Sequence, residues 1–248
     1  NKTHVKNYIK NSKRPLVLAG HGVRLAGASV HFKNWISNHK IPVVTTWNAL
    51  DLLSFNNDLN IGRPGVVANR AANISIQNAD LIIVLGARMD NVVTAYNLAD
   101  FGRLAKKIVV DIDEEELSNK SQIANLFLVR DDIKSFLEKF RDARFESIDP
   151  EWKARCLKLK NRFLENDGSQ ITSKKRKISH SEFVDSVSEL IPKDSLIATG
   201  SSGLAIEFLY ARFKNKENQR IFLTSGLGSM GYGLSQAVGI SFARAKST

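Results

Sequence analysis

Five short apolar runs recur along the first 145 positions: Leu16-Val17-Leu18-Ala19, Pro42 to Thr46, Leu81-Ile82-Ile83-Val84-Leu85, Lys107 to Ile112 and Leu126 to Val129. Four of the five are almost wholly apolar instead of alternating polar with apolar. A strand of that kind needs cover on both faces, which is the situation in a parallel sheet flanked by helices. The intervening stretches supply the helices. Ala26 to Asn38 is read with Val30 and Ile36 inward, Val67 to Asn78 is rich in alanine, Glu114 to Leu117 is short, and Asp132 to Asp142 places Ile133, Phe136, Leu137 and Phe140 on one face.

Residues 1–149 are therefore expected to form an α/β domain with a doubly wound, Rossmann-like parallel sheet. Residues 150–177 read as a helix, Trp152 to Leu164, followed by a basic linker. Nine Lys/Arg against Glu165 and Asp167 lie between Lys153 and Lys177, so most of the net charge of +11 is local. Phe163 is the one aromatic among these charges, too few for the interleaved stacking surface a nucleic acid would require, which argues for a solvated linker and against a nucleic-acid partner.

Alternation resumes over residues 178–248. Ser179 with Glu182 makes a capping box for a helix to Leu190. Strand Ser195 to Thr199, helix Leu204 to Phe213, strand Arg220 to Thr224 and helix Gly233 to Ala245 follow. Two strands and three helices bury too little apolar surface for a comfortable domain, so this second α/β unit is expected to be truncated. No apolar run approaches the roughly 20 residues of a membrane-spanning helix. The single cysteine, Cys156, and the absence of a signal-peptide pattern lead to the expectation of a cytoplasmic protein.

Chemistry is expected where glycine loops follow strands, because helix N-termini at the carboxyl ends of parallel strands offer N–H groups to anions. Gly20-His21-Gly22, Gly86-Ala87-Arg88-Met89-Asp90 and Gly200-Ser201-Ser202-Gly203 are three such loops. His21 lacks a carboxylate nearby in sequence to orient it as a base. The sharpest is Ser225-Gly226-Leu227-Gly228-Ser229-Met230-Gly231-Tyr232-Gly233, with four glycines in nine residues between a strand and a helix. Such a loop leaves its backbone bare for close approach to a ligand.

The stretch Ser225 to Gly239 resembles the start of the diphosphate-binding domain of thiamine-diphosphate-dependent enzymes of the acetolactate synthase group. Pro15 to Asp142 resembles that group's central domain, through Gly20-x-Gly22, Gly62-Arg63-Pro64-Gly65, Ala68-Asn69, Ala79 to Asp90 and Val110-Asp111-Ile112-Asp113. The resemblance implies thiamine diphosphate as cofactor, with Gly228 and Ser229 beside its aminopyrimidine and Met230 wedged between its two rings. It implies diphosphate contacts from Gly200, Ser201 and Ser202, where acetolactate synthases carry Gln and His. In acetolactate synthases the corresponding domain holds FAD, so the resemblance implies flavin or adenosine contacts at Gly22, Arg88 and Asp111; the alternative for Arg88 is a structural bond to a helix end or to Asp90. By the same resemblance, the activating glutamate and the magnesium ligands belong to segments outside this chain, which is expected to be inactive alone and to carry no catalytic or metal-ligating residue. The complete protein would decarboxylate a small-molecule 2-keto acid, or transfer the resulting carbanion equivalent to an acceptor, as a homodimer or tetramer. The rival expectation is a stand-alone FAD- or NAD-binding domain without thiamine chemistry.

Overall fold

The computed structural model describes residues 2–120, 123–165, 178–200, 203–224 and 226–245. Its main sheet contains β1 (Pro15–Ala19), β2 (Val43–Thr45), β3 (Asn60–Gly62), β4 (Leu81–Leu85), β5 (Lys106–Asp111) and β6 (Leu126–Arg130). Every pairing is parallel and the spatial order is β3-β2-β1-β4-β5-β6. Winding runs outward in opposite directions from β1 and β4, so a crevice opens beyond their carboxyl ends. The apolar runs announce every strand but β3, whose three residues Asn60-Ile61-Gly62 carry one apolar side chain between them.

The two faces of this sheet are two separate cores. Val17, Ala19, Val43, Leu81, Ile83, Leu85, Ile108 and Val110 pack against α1 (Lys2–Asn11), α3 (Ser29–His39) and α6 (Ile133–Lys139). Leu16, Leu18, Val44, Ile82, Val84 and Val109 pack on the opposite side, against α4 (Arg70–Asn78), α5 (Glu114–Ser118) and α7 (Trp152–Glu165). Successive strand residues point to opposite faces, so apolar residues at both parities are what a covered sheet demands. Buried tryptophans keep their N–H groups satisfied: Trp35 donates to the Phe140 carbonyl at 2.9 Å and Trp152 to the Pro15 carbonyl at 2.8 Å.

One sequence expectation fails in this region. The segment Ala26 to Asn38 is not one helix with Val30 inward. A short α2 (Gly22–Leu25) ends in a turn at Gly27, α3 begins at Ser29, and Val30 is 67% exposed. The inward set is Phe32, Trp35 and Ile36, spaced at i, i+3 and i+4, and two aromatic side chains outweigh one valine in fixing the helix rotation.

Lys160 is an unusual cost in this core. It sits on α7, and its ammonium donates to the carbonyls of Phe55 and, at 2.8 Å, Asn60, while lying 4.4 Å from the Phe55 ring centroid. Burial pushes its pKa down to about 8. A lysine that releases its proton more easily when folded is bound to more protons in the unfolded chain between pH 8 and its ordinary value near 10.5. Stability from this group therefore rises with pH through that window. Against Lys160→Met as reference, the wild type is expected to gain about 2 kcal/mol between pH 7 and 9.5, read from urea unfolding. Parallel pH profiles for the two proteins would show that the ammonium is not desolvated.

The second unit holds α8 (His180–Leu190), β7 (Leu196–Ala198), α9 (Gly203–Arg212), β8 (Arg220–Phe222) and α10 (Tyr232–Ala245), with β7 and β8 pairing in parallel. The capping box forms as expected: the Glu182 N–H donates to Ser179 Oγ at 3.2 Å and the Ser179 N–H to Glu182 Oε2 at 2.9 Å. The unit's core of Val184, Ile206, Tyr210, Phe213, Ile221 and Leu223 includes Leu50 of the first unit. On α10, by contrast, Leu234 and Phe242 are 77% and 68% exposed. The linker stretch 166–177 lies outside the described residues.

Candidate functional site

The crevice between β1 and β4 is closed at its base by backbone. Gly20 donates its N–H to the Leu85 carbonyl at 2.9 Å, Gly22 to the Gly86 carbonyl at 3.0 Å, and Gly86 to the Val110 carbonyl at 3.0 Å. A Cβ on Gly20 would sit 2.0 Å from the Gly86 oxygen, and Gly86 itself is left-handed at φ +55°. These two loops can cross at this separation only without side chains.

Above that base lies a cleft of about 1030 Å³, rimmed by the ends of β1, β2, β4, β5 and β6 and by Gly226 and Gly228 of the second unit. Gly22, Arg88 and Asp111, which are widely spaced in sequence, all line it. Arg88 is paired with Glu116 at 3.2 Å, not with Asp90 or a helix end, and its side chain is 77% exposed. Asp111 accepts the Asp113 N–H at 3.1 Å, and Asp113 caps α5 through the N–H groups of Glu115 and Glu116. Asp90 accepts the Val93 N–H at 3.0 Å. The carboxylates of Asp90 after β4 and of Asp111 and Asp113 at the end of β5 are thus ordered acceptors, the groups that take hydrogen bonds from the hydroxyls of a ribose.

His21 also lines the cleft, with Nδ1 3.1 Å from the Asn48 carbonyl. A carbonyl can only accept, so Nδ1 carries the proton and Nε2 is left as an acceptor. Burial lowers its pKa, the Asn48 bond opposes this, and the charges of Arg220 and Arg24 lower it further, so the ring is neutral at pH 7. The orienting group that sequence proximity does not supply is a carbonyl from the loop after β2.

In the second unit, the glycine loop leaves β8 and enters α10 with Gly226, Gly228 and Gly231 at φ of +95°, +59° and +77°. A Cβ on Gly233 would lie 2.9 Å from the backbone of Gly200, so the start of α10 is seated against the carboxyl end of β7. Met230 and Leu227 are 95% and 96% exposed, and Ser229 accepts the Tyr232 N–H through its carbonyl at 3.4 Å. The fold therefore brings Gly200 beside Gly233, and Gly228 to the cleft that holds Gly22, Arg88 and Asp111. Ser201, Ser202 and Ser225 lie outside the described residues.

The residues that dock one unit on the other are ones that sequence patterns do not single out for that task. Arg63, fully buried, donates to the carbonyl of Phe213 at 3.0 Å, and Asn69 donates to that of Ala211 at 2.8 Å, together satisfying the exposed end of α9. Burial brings the Arg63 pKa down to about 10. Trp47 stacks on Tyr210 at 4.4 Å between centroids, and the Tyr210 hydroxyl donates to the Thr45 carbonyl at 3.2 Å. Burial raises the Tyr210 pKa far beyond its usual value, so it stays a neutral donor. One sequence signal points here: Asp51 is a lone acid inside Ala49-Leu50-Asp51-Leu52-Leu53, and a carboxylate in such a run needs a buried partner.

The family profile described as "Thiamine pyrophosphate enzyme, central domain" matches residues 3–140. A probable acetolactate synthase large subunit of Methanococcus aeolicus is 28% identical over 95% of this chain and 41% of its own length. The acetolactate synthase isozyme 1 large subunit of Escherichia coli is 30% identical over 95% of this chain and 40% of its own. The acetolactate synthase large subunit of Cyanidium caldarium is 29% identical over 96% of this chain and 40% of its own length. The chain thus spans about 40% of the length of the curated relatives it matches.

Proposed function

The chain belongs to the thiamine pyrophosphate enzyme family through its central domain, and from that premise we propose that the complete protein decarboxylates a 2-keto acid, or passes the carbanion equivalent to an acceptor. We read residues 1–149 as the central domain, 150–177 as a helix and linker, and 178–248 as the first part of the diphosphate-binding domain. The observation that carries the reading is the loop 226–233, whose left-handed glycines and exposed Met230 stand beside Gly200 at one end and open to the switch-point cleft at the other.

These residues fit thiamine diphosphate. The backbone at Gly228 is bare, a Cβ there would meet no atom within 4 Å, and Met230 projects an unbranched apolar side chain with nothing packed over it. Gly228 and Ser229 would hold the aminopyrimidine, Met230 would separate the rings, and Gly200 with Ser201 and Ser202 would meet the diphosphate. Bound, the cofactor supplies the electron sink for the carboxylate's departure. Among the described residues no cluster of three or more His, Cys, Asp or Glu is arranged to hold a metal. Among them, too, no helix is long and apolar enough to cross a membrane.

The cleft fits a flavin dinucleotide: carboxylates at the end of β5 suit ribose hydroxyls, and Arg88 can exchange its exposed Glu116 pair for a phosphate. We extend to the complete protein the family's assembly as a homodimer or tetramer.

The test is carbon dioxide release from pyruvate and other 2-keto acids by the full-length protein, with and without thiamine diphosphate and magnesium. Release that depends on both, and no release from the 248-residue chain alone, is the expected pair of results. Cofactor-independent release, or turnover by this chain alone, would overturn the reading. Titration with FAD should give binding that Arg88→Ala weakens about tenfold; equal affinity would remove Arg88 from the site.

A further inference from the structure

Asp51 lies at the junction of the two units, and its carboxylate is 1% exposed. Oδ1 accepts from Arg24 Nη2 at 2.6 Å, while Oδ2 accepts from Arg220 Nη1 at 2.9 Å and from the backbone N–H of Ile221 at 2.8 Å. The two arginines belong to different units. Arg24 is on α2, the turn that Gly22 opens at the base of the cleft, and Arg220 begins β8, the strand that runs into the glycine loop.

The contact with Ile221 is the more telling. Among the described residues β8 pairs only with β7, so one edge of β8 has no neighbouring strand. The N–H that points to that edge would be an orphan, and the carboxylate of Asp51 takes it. Arg220 is braced further, by its own Ile221 carbonyl at 2.6 Å and by the Phe222 ring 4.5 Å from its guanidinium carbon. Arg24 Nε, by contrast, is buried with no hydrogen-bond partner among the described residues, which leaves the bond to Asp51 as the polar contact that holds that side chain among them.

We propose that Asp51 is a positioning residue that locks the α2 turn of the cleft and the β8 strand of the glycine loop into one cooperative element. The geometry makes this reciprocal. A shift of β8 pulls Oδ2, the same carboxylate then pulls on Arg24, and the α2 turn carrying Leu25 and Ala26 at the cleft wall follows. A ligand that tightens the cleft at α2 holds β8, and with it Gly226 and Gly228, by the same carboxylate. Coupling of this kind must be equal in both directions. The link to cofactor binding rests on the function proposed above, whereas the coupling itself rests on Asp51's contacts, and its test uses no cofactor.

The experiment is hydrogen exchange on this chain with Arg24→Gln, Arg220→Gln and Arg220→Lys. Amides 24–28, which bond back to His21, Gly22, Val23 and Arg24, report the cleft turn. Amides 220–224 report the strand, and those of Leu81–Leu85 are the internal control. Each Gln variant is expected to raise exchange about tenfold in the segment on the other side of Asp51 as well as in its own, with the control unchanged. Arg220→Lys, which keeps one cationic donor, should return amides 24–28 most of the way to wild type. Local loosening is all that a merely structural arginine would cause, so variants that disturb only their own segment, or neither, overturn the proposal. Asp51→Asn should loosen both segments at once. Should that variant fail to fold, the two Gln variants still decide the matter, since Arg24 and Arg220 are 29% and 21% exposed and tolerate glutamine. Failure of carbon dioxide release by the full-length protein would remove the cofactor reading and leave this coupling standing.

Discussion

Gly20→Ala is expected to destabilise the chain by about 4 kcal/mol or more and to abolish the cleft. The added Cβ would lie 2.0 Å from the Gly86 oxygen and 2.5 Å from the Ala87 Cα. Both are backbone atoms, so no rotamer change can make room. Relief requires β1 and β4 to separate at their carboxyl ends, which breaks the bond from the Gly20 N–H to the Leu85 carbonyl and displaces Gly22 from Gly86. Gly27 is the control. It sits at φ +62° but a Cβ there would meet nothing within 4 Å, so Gly27→Ala should cost only the left-handed penalty of about 1 kcal/mol. Urea midpoints for the two variants should therefore differ several-fold in their displacement from wild type. A Gly20→Ala protein as stable as the Gly27→Ala protein would mean that the crossing of the two loops is looser than 2.0 Å implies.

The contrast between these glycines also shows what a sequence can disclose. Leu81-Ile82-Ile83-Val84-Leu85 is legible as a buried strand because five apolar residues without alternation have no other economical place in an α/β fold. The box of Ser179 and Glu182 is legible because its two bonds join residues three apart. The family resemblance likewise rests on ordered local motifs, and the match over residues 3–140 bears it out. Nothing local, however, distinguishes Gly20 from Gly27. The difference is a backbone 66 positions away, at Gly86.

The same reason accounts for the remaining misses. β3 is too short for a period to register, and it exists because Val43 and Val44 offer it an edge. The Arg88 partner, Glu116, is on α5, whereas Arg88 is in the loop after β4, and the two meet only when β4 and β5 lie side by side. Arg63 reads as part of a turn, Gly62-Arg63-Pro64-Gly65, while its task is to satisfy the end of α9 some 150 residues later. Candidate residues on loops at the ends of strands could be picked out from the sequence because the fold class alone dictates where such loops converge. The docking of one unit on the other was legible only in the lone acid Asp51, since Arg63, Trp47 and Tyr210 acquire meaning only from partners far away in sequence.

Met230→Ala is expected to lower turnover of the full-length protein about tenfold or more while leaving the folding stability of this chain within about 0.5 kcal/mol of wild type. The two halves of that expectation come from one number: the side chain is 95% exposed. An apolar side chain that touches almost nothing contributes almost nothing to folding, so truncating it leaves no cavity. Its place between left-handed Gly228 and Gly231 nevertheless holds it out from the loop at the point where the proposed cofactor would bend. Filling that bend is a packing task that begins only when the ligand arrives, and an unbranched thioether suits an irregular gap. Met230→Leu, similar in volume and polarity, should keep most of the activity. Cofactor affinity should change little in either variant, because the diphosphate would be held elsewhere, at the proposed contacts Gly200, Ser201 and Ser202. Unfolding measured on this chain and initial rates measured on the full-length protein separate the cases. A large loss of stability would make Met230 a core residue, and an unchanged rate would make it a bystander on the loop; either result would remove the wedge from the proposed site.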